Sequence, residues 1–230
     1  MRKFKRCAQL ILIFFIVLLS SCNKQFTPEE LYSKNINSVV ELKVKCNDDN
    51  LYASAVCIDS NGLFVSNAHV IPEIDGAEIN VYIRFTSSEE YEKVNLLKID
   101  RTMDLSLFKL GNSDKCVSLN ISEIRKTGQR VYAVGNTSNQ GVSISEGIIT
   151  KSSVHIKTKK ISMNMIATDA FFAEGNSGGA LIDSKNNLLG ITTLRLKDDA
   201  GNIIYGVGYV IPAEVVLDFI SYIYIYSFVK

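Results

Sequence analysis

The chain has 230 residues, of which 47% are hydrophobic, 21% are charged and three are prolines, and its formal net charge is +1. This composition supports a folded core and excludes a low-complexity or disordered chain. A charge so close to neutral also argues against a nucleic-acid-binding protein, which needs a basic surface.

The amino terminus has the pattern of a secretion signal. Four basic residues within positions 2–6 precede an apolar run at 10–19, and Leu-Ser-Ser-Cys ends at Cys22. A bilayer span takes about 20 residues, so this run predicts a signal peptide over residues 1–21, with an uncleaved signal anchor as the alternative. Removing the signal leaves 209 residues, 21 basic and 24 acidic, with a net charge of −3.

Strands dominate the remaining chain. Thr-Pro-Glu-Glu at 27–30 first predicts a short helix, within an N-terminal tether and helix that span residues 22–35. Alternating apolar and polar residues then predict strands near 38–44, 51–58, 79–85, 130–135, 142–150, 163–168, 180–183, 188–196 and 203–211. A closing helix is expected over 213–226. The fold class is therefore all-β, with one helix at each end.

The most informative motif is Gly-Asn-Ser-Gly-Gly at residues 175–179. Glycine at 175 can adopt backbone angles closed to other residues, so the N–H groups of Gly175 and Ser177 can converge on the oxyanion of an acyl-transfer reaction. We expect Gly178 and Gly179 to leave room for substrate. A Gly-rich turn without chemistry is the alternative.

A serine nucleophile needs a histidine base and a carboxylate that orients it. Of the two histidines, His69 ends a short apolar strand, whereas His155 lies in an alternating, lysine-flanked segment and is expected to be structural. Asp104 opens another apolar strand, where an unpaired charge would be costly. In isolation it would be a strand-initiating aspartate, but the order His69, Asp104, Ser177 favours a catalytic acid.

With its residues in this order, the chain resembles the trypsin-like serine peptidases of the chymotrypsin fold, and most closely the HtrA/Deg type of bacterial envelopes. The similar segments are SNAHV at 66–70, DLSLFK at 104–109, GVSISEGII at 141–149, TDA at 168–170, GNSGGAL at 175–181 and GVGYVIP at 206–212. The resemblance implies a protease domain at 36–230 with two six-stranded antiparallel β-barrels, at about 36–121 and about 122–212.

The resemblance also implies roles for individual residues. His69 would be the base, Asp104 its orienting acid and Ser177 the nucleophile, with an oxyanion hole at Gly175, Asn176 and Ser177. No metal or organic cofactor is implied. The substrate pocket would comprise Phe171, Phe172, Glu174, Thr192, Thr193, Leu194, Gly206 and Gly208.

The pocket is where the chain departs from the family pattern. Ala173 and Glu174 stand where the family has asparagine and proline, and Phe171 and Phe172 replace small or aliphatic residues. No carboxylate is expected at the pocket base, so a buried basic side chain would lack a counter-charge. We therefore expect cleavage after small or medium aliphatic residues.

Lipoprotein processing, again implied by the resemblance, would make Cys22 the acylated first residue of an envelope protein. Asn23 after it favours the outer membrane facing the periplasm, or the cell surface. Polypeptides are the expected substrates, and nucleic acid is not an expected partner. We expect the activity to be regulated by homo-oligomerisation or by loop ordering. From the remaining length we expect the PDZ domain that commonly follows in HtrA proteins to be absent. The alternative is a lipoprotein that keeps the fold and a peptide-binding cleft without turnover.

Three further cysteines, Cys46, Cys57 and Cys116, remain in the predicted mature chain. Their spacing is unlike that of metal ligands. Cys46 and Cys57 flank the first predicted hairpin, and an oxidising compartment permits disulfides. The sequence therefore predicts a Cys46–Cys57 disulfide that leaves Cys116 free.

Overall fold

The computed structural model describes residues 24–111, 114–158, 161–197 and 203–227. The predicted signal peptide at 1–21 and the predicted lipidation site Cys22 lie outside the described residues.

The first helix begins where the capping sequence predicts. Helix α1, Pro28–Asn35, has Thr27 as its N-cap. The Glu30 N–H donates to Thr27 Oγ1 over 3.3 Å, and the Thr27 N–H donates to Glu30 Oε2 over 2.9 Å. Two of the amide groups that a helix start leaves without partners are thereby satisfied. The fully buried Leu31 joins a core cluster that contains side chains of both barrels.

Six antiparallel strands close the first barrel, as expected. They are β1 (Val39–Cys46), β2 (Asp49–Asp59), β3 (Leu63–Ser66), β4 (Ile79–Arg84), β5 (Glu92–Asp100) and β6 (Leu105–Leu110). Their order around the barrel is β1-β2-β3-β6-β5-β4. The sequence analysis missed β5, because Val94 is the one buried side chain in that strand and no alternation results.

The second sheet contains the other strands of the described chain: β7 (Asn120–Ile121), β8 (Arg130–Asn136), β9 (Val142–Lys157), β10 (Ser162–Thr168), β11 (Ala180–Asp183), β12 (Asn187–Lys197) and β13 (Ile203–Pro212). Its order is β11-β8-β9-β10-β13-β12-β7, and an additional β11–β12 pairing closes a ring of six strands. The short β7, placed with the first barrel by the sequence division, runs parallel to β12 of this sheet.

The carboxy-terminal helix packs on the second barrel. Helix α2, Ala213–Ser227, places Val216, Phe219 and Ile220 in the same core as the barrel side chains. In the described part of the chain, no helix is both long enough and apolar enough to cross a membrane.

The predicted Cys46–Cys57 disulfide is wrong, because the two residues are not bonded to each other and lie at opposite ends of the β1–β2 hairpin. Cys46 pairs with Asp49 at the turn of the β1–β2 hairpin, whereas the Cys57 N–H donates to Ser38 O at its open end. The turn and the open end of the hairpin are about 26 Å apart along β2, at about 3.3 Å per residue. A disulfide requires Cα atoms within about 7 Å.

Candidate active site

His69 and Asp104 form a hydrogen-bonded pair on the first barrel. The Nδ1 atom of His69 lies 3.0 and 2.9 Å from the two carboxylate oxygens of Asp104. The His69 backbone N–H also donates to Oδ1 of that carboxylate, over 2.9 Å. Asp104 is 2% exposed, whereas the His69 side chain is 43% exposed. The carboxylate therefore holds Nδ1 and leaves the rest of the ring accessible, which suits a general base.

Backbone geometry before β6 aims the carboxylate at this histidine. Asp104 has a φ of 52°, in the left-handed region that aspartate tolerates better than most residues. Its carbonyl oxygen accepts from the Ala68 N–H over 3.0 Å and from the Asn67 side-chain amide over 3.2 Å. The two segments that carry the pair are thus bonded directly to each other.

Arg101 also fixes the His69 segment, and the sequence analysis missed it. Its Nη1 donates to the carbonyl oxygen of Ala68 and, over 2.9 Å, to that of Ile71, on either side of the histidine. Its Nε pairs with Glu73 at 3.0 Å. A lone cation in a turn carries no signal in the sequence until the fold shows what it binds.

Ser177 lies between β10 and β11 on the second barrel, in a loop pressed against the first. A Cβ on Gly178, whose φ is 82°, would lie 2.1 Å from Ser66 Oγ and 2.2 Å from Ser54 O. A Cβ on Gly179 would lie 2.5 Å from a backbone oxygen of β8. The expectation that these two glycines make room for substrate is wrong, since Gly178 makes room for the first barrel and Gly179 for β8 of its own barrel.

Ser54 of β2 joins the two barrels at this contact. Its N–H donates to Ser177 O over 2.8 Å, and its hydroxyl donates to Gly175 O over 2.8 Å. The same hydroxyl accepts from the Asn136 N–H at 2.8 Å. Ser54 is fully buried, so water cannot take its place as the hydrogen-bond partner of these groups. A serine within an alternating strand gave no sign of this role.

The backbone at Gly175 directs its N–H away from protein acceptors. Its φ is 91°, and a Cβ there would lie 2.2 Å from Asn136 O. The Glu174 carbonyl accepts from the Ser138 N–H at 2.7 Å. A trans peptide points its C=O and N–H in opposite directions, so the Gly175 N–H faces away from Ser138. Within the described ranges, neither this N–H nor that of Ser177 has a protein acceptor.

Asn176 does not share this arrangement, and its predicted place in the oxyanion hole is wrong. Its N–H donates to Ala173 O over 3.2 Å, which closes the turn before the serine. Its side-chain oxygen accepts from the Thr137 hydroxyl over 2.9 Å, and the residue is 4% exposed. Asn176 therefore shapes the loop instead of donating to a substrate.

Thr193 of β12 links the serine to the His69–Asp104 pair. Its hydroxyl donates to Asp104 Oδ2 over 2.7 Å, and its carbonyl oxygen accepts from the Ser177 hydroxyl at 3.4 Å. The sequence analysis placed Thr193 in the pocket wall, but its hydroxyl is used to hold the acid. Hydrogen bonds thus join all three predicted triad residues, and Thr193 is the link between Ser177 and Asp104.

The structure places the other predicted pocket residues in different surroundings. The Phe172 ring is 5% exposed and fills the space beside Gly208, where a Cβ would lie 2.2 Å from Cε2. Phe171, by contrast, is 54% exposed. The Thr192 hydroxyl donates to Asn176 O over 2.6 Å and supports the serine loop instead of facing a substrate.

Four residues complete the comparison with the sequence. Glu174 is exposed, as expected for a residue at the cleft mouth. Gly206 has a φ of 83° in β13, and the side chain of Leu194 lies outside what the structure describes. His155 is exposed, and its Nδ1 lies 3.2 Å from Asn164 Oδ1 across a strand pair, as expected for a structural histidine.

Comparison with known proteins agrees with this geometry. Residues 53–191 match the model of the trypsin-like peptidase domain, and the chain belongs to that family. A probable periplasmic serine endoprotease DegP-like from Buchnera aphidicola subsp. Baizongia pistaciae is 34% identical over 77% of this chain and 37% of its own length. Serine endoprotease DegS from Haemophilus influenzae is 30% identical over 81% of this chain and 52% of its own.

Solved structures give the same fold. The HtrA-type protease AlgW with tripeptide has a TM-score of 0.72 and 26% identity, covering 84% of this chain and 62% of its own. The active form of the Rv3671c protease from M. tuberculosis has a TM-score of 0.71 at 19% identity, covering 83% and 82%. The chain spans only about a third to a half of the two curated relatives named above.

Proposed function

We propose that this protein is a serine endopeptidase of the HtrA/trypsin-like type that hydrolyses peptide bonds through Ser177, His69 and Asp104. The observation that carries the proposal is the hydrogen-bonded series from the Ser177 hydroxyl through Thr193 to Asp104 and His69. Side chains from both barrels meet in it, so it depends on the whole fold. Membership of the trypsin-like peptidase family supports the same chemistry.

The reaction begins with a rotation of the Ser177 hydroxyl away from Thr193 O toward His69 Nε2. Its Oγ then attacks the substrate carbonyl carbon, and the proton passes to Nε2 while Asp104 stabilises the imidazolium through Nδ1. His69 next gives the proton to the leaving amine, and an acyl-enzyme remains. Water, deprotonated by the same histidine, hydrolyses the ester and restores Ser177.

The oxyanion of both tetrahedral intermediates would lie against the N–H groups of Gly175 and Ser177. The bond from the Ser138 N–H to Glu174 O favours this, because it fixes the Glu174–Gly175 peptide with its N–H directed away from Ser138. Donors oriented before the reaction stabilise the developing charge without reorganisation. Loss of one such donor costs about 10²–10³-fold in kcat.

Casein or a fluorogenic peptide tests the activity directly. Ser177→Ala and His69→Ala are expected to lower kcat by about 10⁴–10⁶-fold, since the triad acts as a unit. Ser33→Ala is the matched control, because Ser33 is exposed and its hydroxyl donates only to Glu29 O. Undiminished cleavage by His69→Ala would contradict the proposal. A wild type that binds peptides but never cleaves them would establish the inactive binding protein instead.

For substrate choice, we propose small or medium aliphatic residues on the acyl side of the scissile bond. The Phe172 ring takes up the space beside Gly208, which leaves little volume for a large side chain. An unpaired basic side chain in such a site costs several kcal/mol, so arginine and lysine would be rejected by a factor of about a thousand.

The test is kcat/KM for peptides that differ only at that position. Phe172→Leu is expected to extend acceptance toward leucine and phenylalanine at a smaller cost in stability than Phe172→Ala, since large-to-small changes in a core cost about 3–5 kcal/mol. Phe171→Ala is the control and should leave the preference unchanged, because that ring is exposed. A wild-type preference for arginine, lysine or tryptophan would refute the assignment.

We also propose that the enzyme is anchored through an acylated Cys22 in the bacterial envelope, where misfolded or envelope proteins would be its substrates. The Leu-Ser-Ser-Cys motif that ends at Cys22 supports the anchor, and a relative named as a probable periplasmic endoprotease supports the compartment. Cys22→Ala should accumulate as precursor or leave the membrane fraction. A processed variant that still resists extraction from membranes would contradict lipid anchoring. Homo-oligomerisation stays a proposal that size measurement can test.

A further inference from the structure

Two of the buried thiols are placed side by side. Cys57 is in β2 and fully buried, and Cys116 is 8% exposed in the segment that leaves the first barrel. The Leu119 N–H donates to Cys57 O over 3.2 Å, so that segment runs along the end of β2. The two thiols share a side-chain hydrogen bond within one hydrophobic cluster. Nothing in the peptidase mechanism uses either of them.

We propose that Cys57 and Cys116 form an intrachain disulfide when the chain folds in an oxidising compartment. The two sulfur atoms are already within hydrogen-bonding reach, so forming the disulfide requires only an adjustment of the two side chains. A Cys46–Cys57 disulfide would instead require the two ends of the hairpin to come together. Cys46 stays reduced at the far turn of the hairpin. The bridge would close the segment 57–116, which includes both His69 and Asp104.

The bond forms by exchange with a disulfide supplied by an oxidoreductase or by glutathione. The Cys116 thiolate attacks one sulfur of that disulfide and expels the other as a thiolate. The Cys57 sulfur, after losing its proton, then attacks Cys116 Sγ and expels the second thiolate. Two protein thiols are oxidised by two electrons, and the donor disulfide is reduced to two thiols.

Burial sets the time at which this exchange takes place. Burial first, and the neighbouring Cys116 second, raise the pKa of the Cys57 thiol to about 12. The reactive thiolate is therefore scarce in the folded barrel, so the bridge is expected to form while the barrel is closing. Once formed, it is shielded from reductants. By constraining the unfolded chain it should raise the thermal midpoint by about 5–15 °C.

The test uses the full chain exported by its own N-terminal segment into the periplasm of a Gram-negative host. Free thiols are blocked with N-ethylmaleimide in acid-quenched, denatured samples, and unreduced peptides are mapped by mass spectrometry. We expect a linked peptide pair containing Cys57 and Cys116, lighter by two hydrogens than the separate peptides, and a blocked Cys46. Blocked thiols at both Cys57 and Cys116, or a linked peptide containing Cys46, would overturn the proposal.

Matched variants distinguish the effect of the disulfide on the thermal midpoint from an effect of side-chain packing. Cys116→Ser should remove the difference in thermal midpoint between oxidised protein and protein reduced in denaturant and refolded with reductant. Cys46→Ser, which alters another buried thiol of the first barrel, should retain that difference. The same difference in both variants would refute the assignment, and peptide mapping of the wild type decides the matter even if a variant does not fold.

Discussion

Replacing Thr193 by valine removes one hydroxyl from the site with little change of shape. That hydroxyl donates to Asp104 Oδ2 over 2.7 Å, and the carboxylate is 2% exposed, so water cannot readily take its place. A hydrogen bond to a charged group contributes about 1.5–3 kcal/mol. If the whole amount acts through the orientation of His69, kcat/KM falls by about 10–150-fold, at about 1.4 kcal/mol per factor of ten.

Steady-state hydrolysis of one fluorogenic peptide, together with urea unfolding, measures both effects. Thr193→Ser keeps the donor and is expected to retain most of the activity, whereas Thr193→Val should also lose about 1–3 kcal/mol of unfolding free energy. Equal kcat/KM in Thr193→Val and wild type would refute the idea that this hydroxyl positions the acid. Equal losses in the valine and serine variants would point to packing and refute it too.

Three further changes test the structure around the site. Ser54→Ala leaves a buried carbonyl and N–H without their partner, so urea unfolding should show a loss of about 1–3 kcal/mol together with lower peptidase activity. Arg101→Gln frees the carbonyls that flank the histidine, and kcat should fall by about tenfold with little change in KM. Burial raises the pKa of Glu214, but the hydrogen bond from Arg125, a backbone hydrogen bond and the charge of Arg125 together outweigh it, and the pKa is lowered. This stabilisation is present at neutral pH and lost as pH falls below 4.5, so Arg125→Gln should flatten the acid limb of unfolding free energy against pH.

Each of these expectations has a result that would contradict it. An unchanged unfolding free energy in Ser54→Ala would mean that its partners find other bonds. Arg101→Lys keeps the charge but not the geometry of the guanidinium, so full activity there would show that charge alone suffices. An acid limb in Arg125→Gln as steep as in the wild type would show that Arg125 does not depress the Glu214 pKa.

Periodicity was enough to predict most of the fold. Alternating residues predicted β4 to within two residues, because its buried side chains alternate with half-buried ones. The bounds of β8 were predicted equally well, although that strand is buried along almost its whole length. It failed for β5, where Leu96 and Leu97 are 41% and 51% exposed and only Val94 is buried. That strand exists because β4 and β6 pair with it on both sides, and such pairing leaves no local trace.

The site divides in the same way. The sequence predicted which side chains could perform the chemistry, since His69, Asp104 and Ser177 lie in recognisable segments. It could not predict the residues that hold them, because Ser54 and Arg101 act through backbone atoms far away in sequence. A bond to a distant carbonyl depends on tertiary contact alone.

The cysteine prediction failed for a related reason. Cysteines that flank a predicted hairpin appear close in sequence, but the register places Cys46 at its turn and Cys57 at its open end. The partner in space is Cys116, which approaches from the segment that leaves the barrel.

Reaction with a fluorophosphonate probe tests the central claim most directly, because the probe phosphonylates only a serine that a neighbouring base activates. Peptide mapping of the labelled wild type should find the adduct on Ser177, and His69→Ala should remain unlabelled under the same conditions. An adduct on a different serine, or labelling of His69→Ala at the wild-type rate, would contradict the proposed triad.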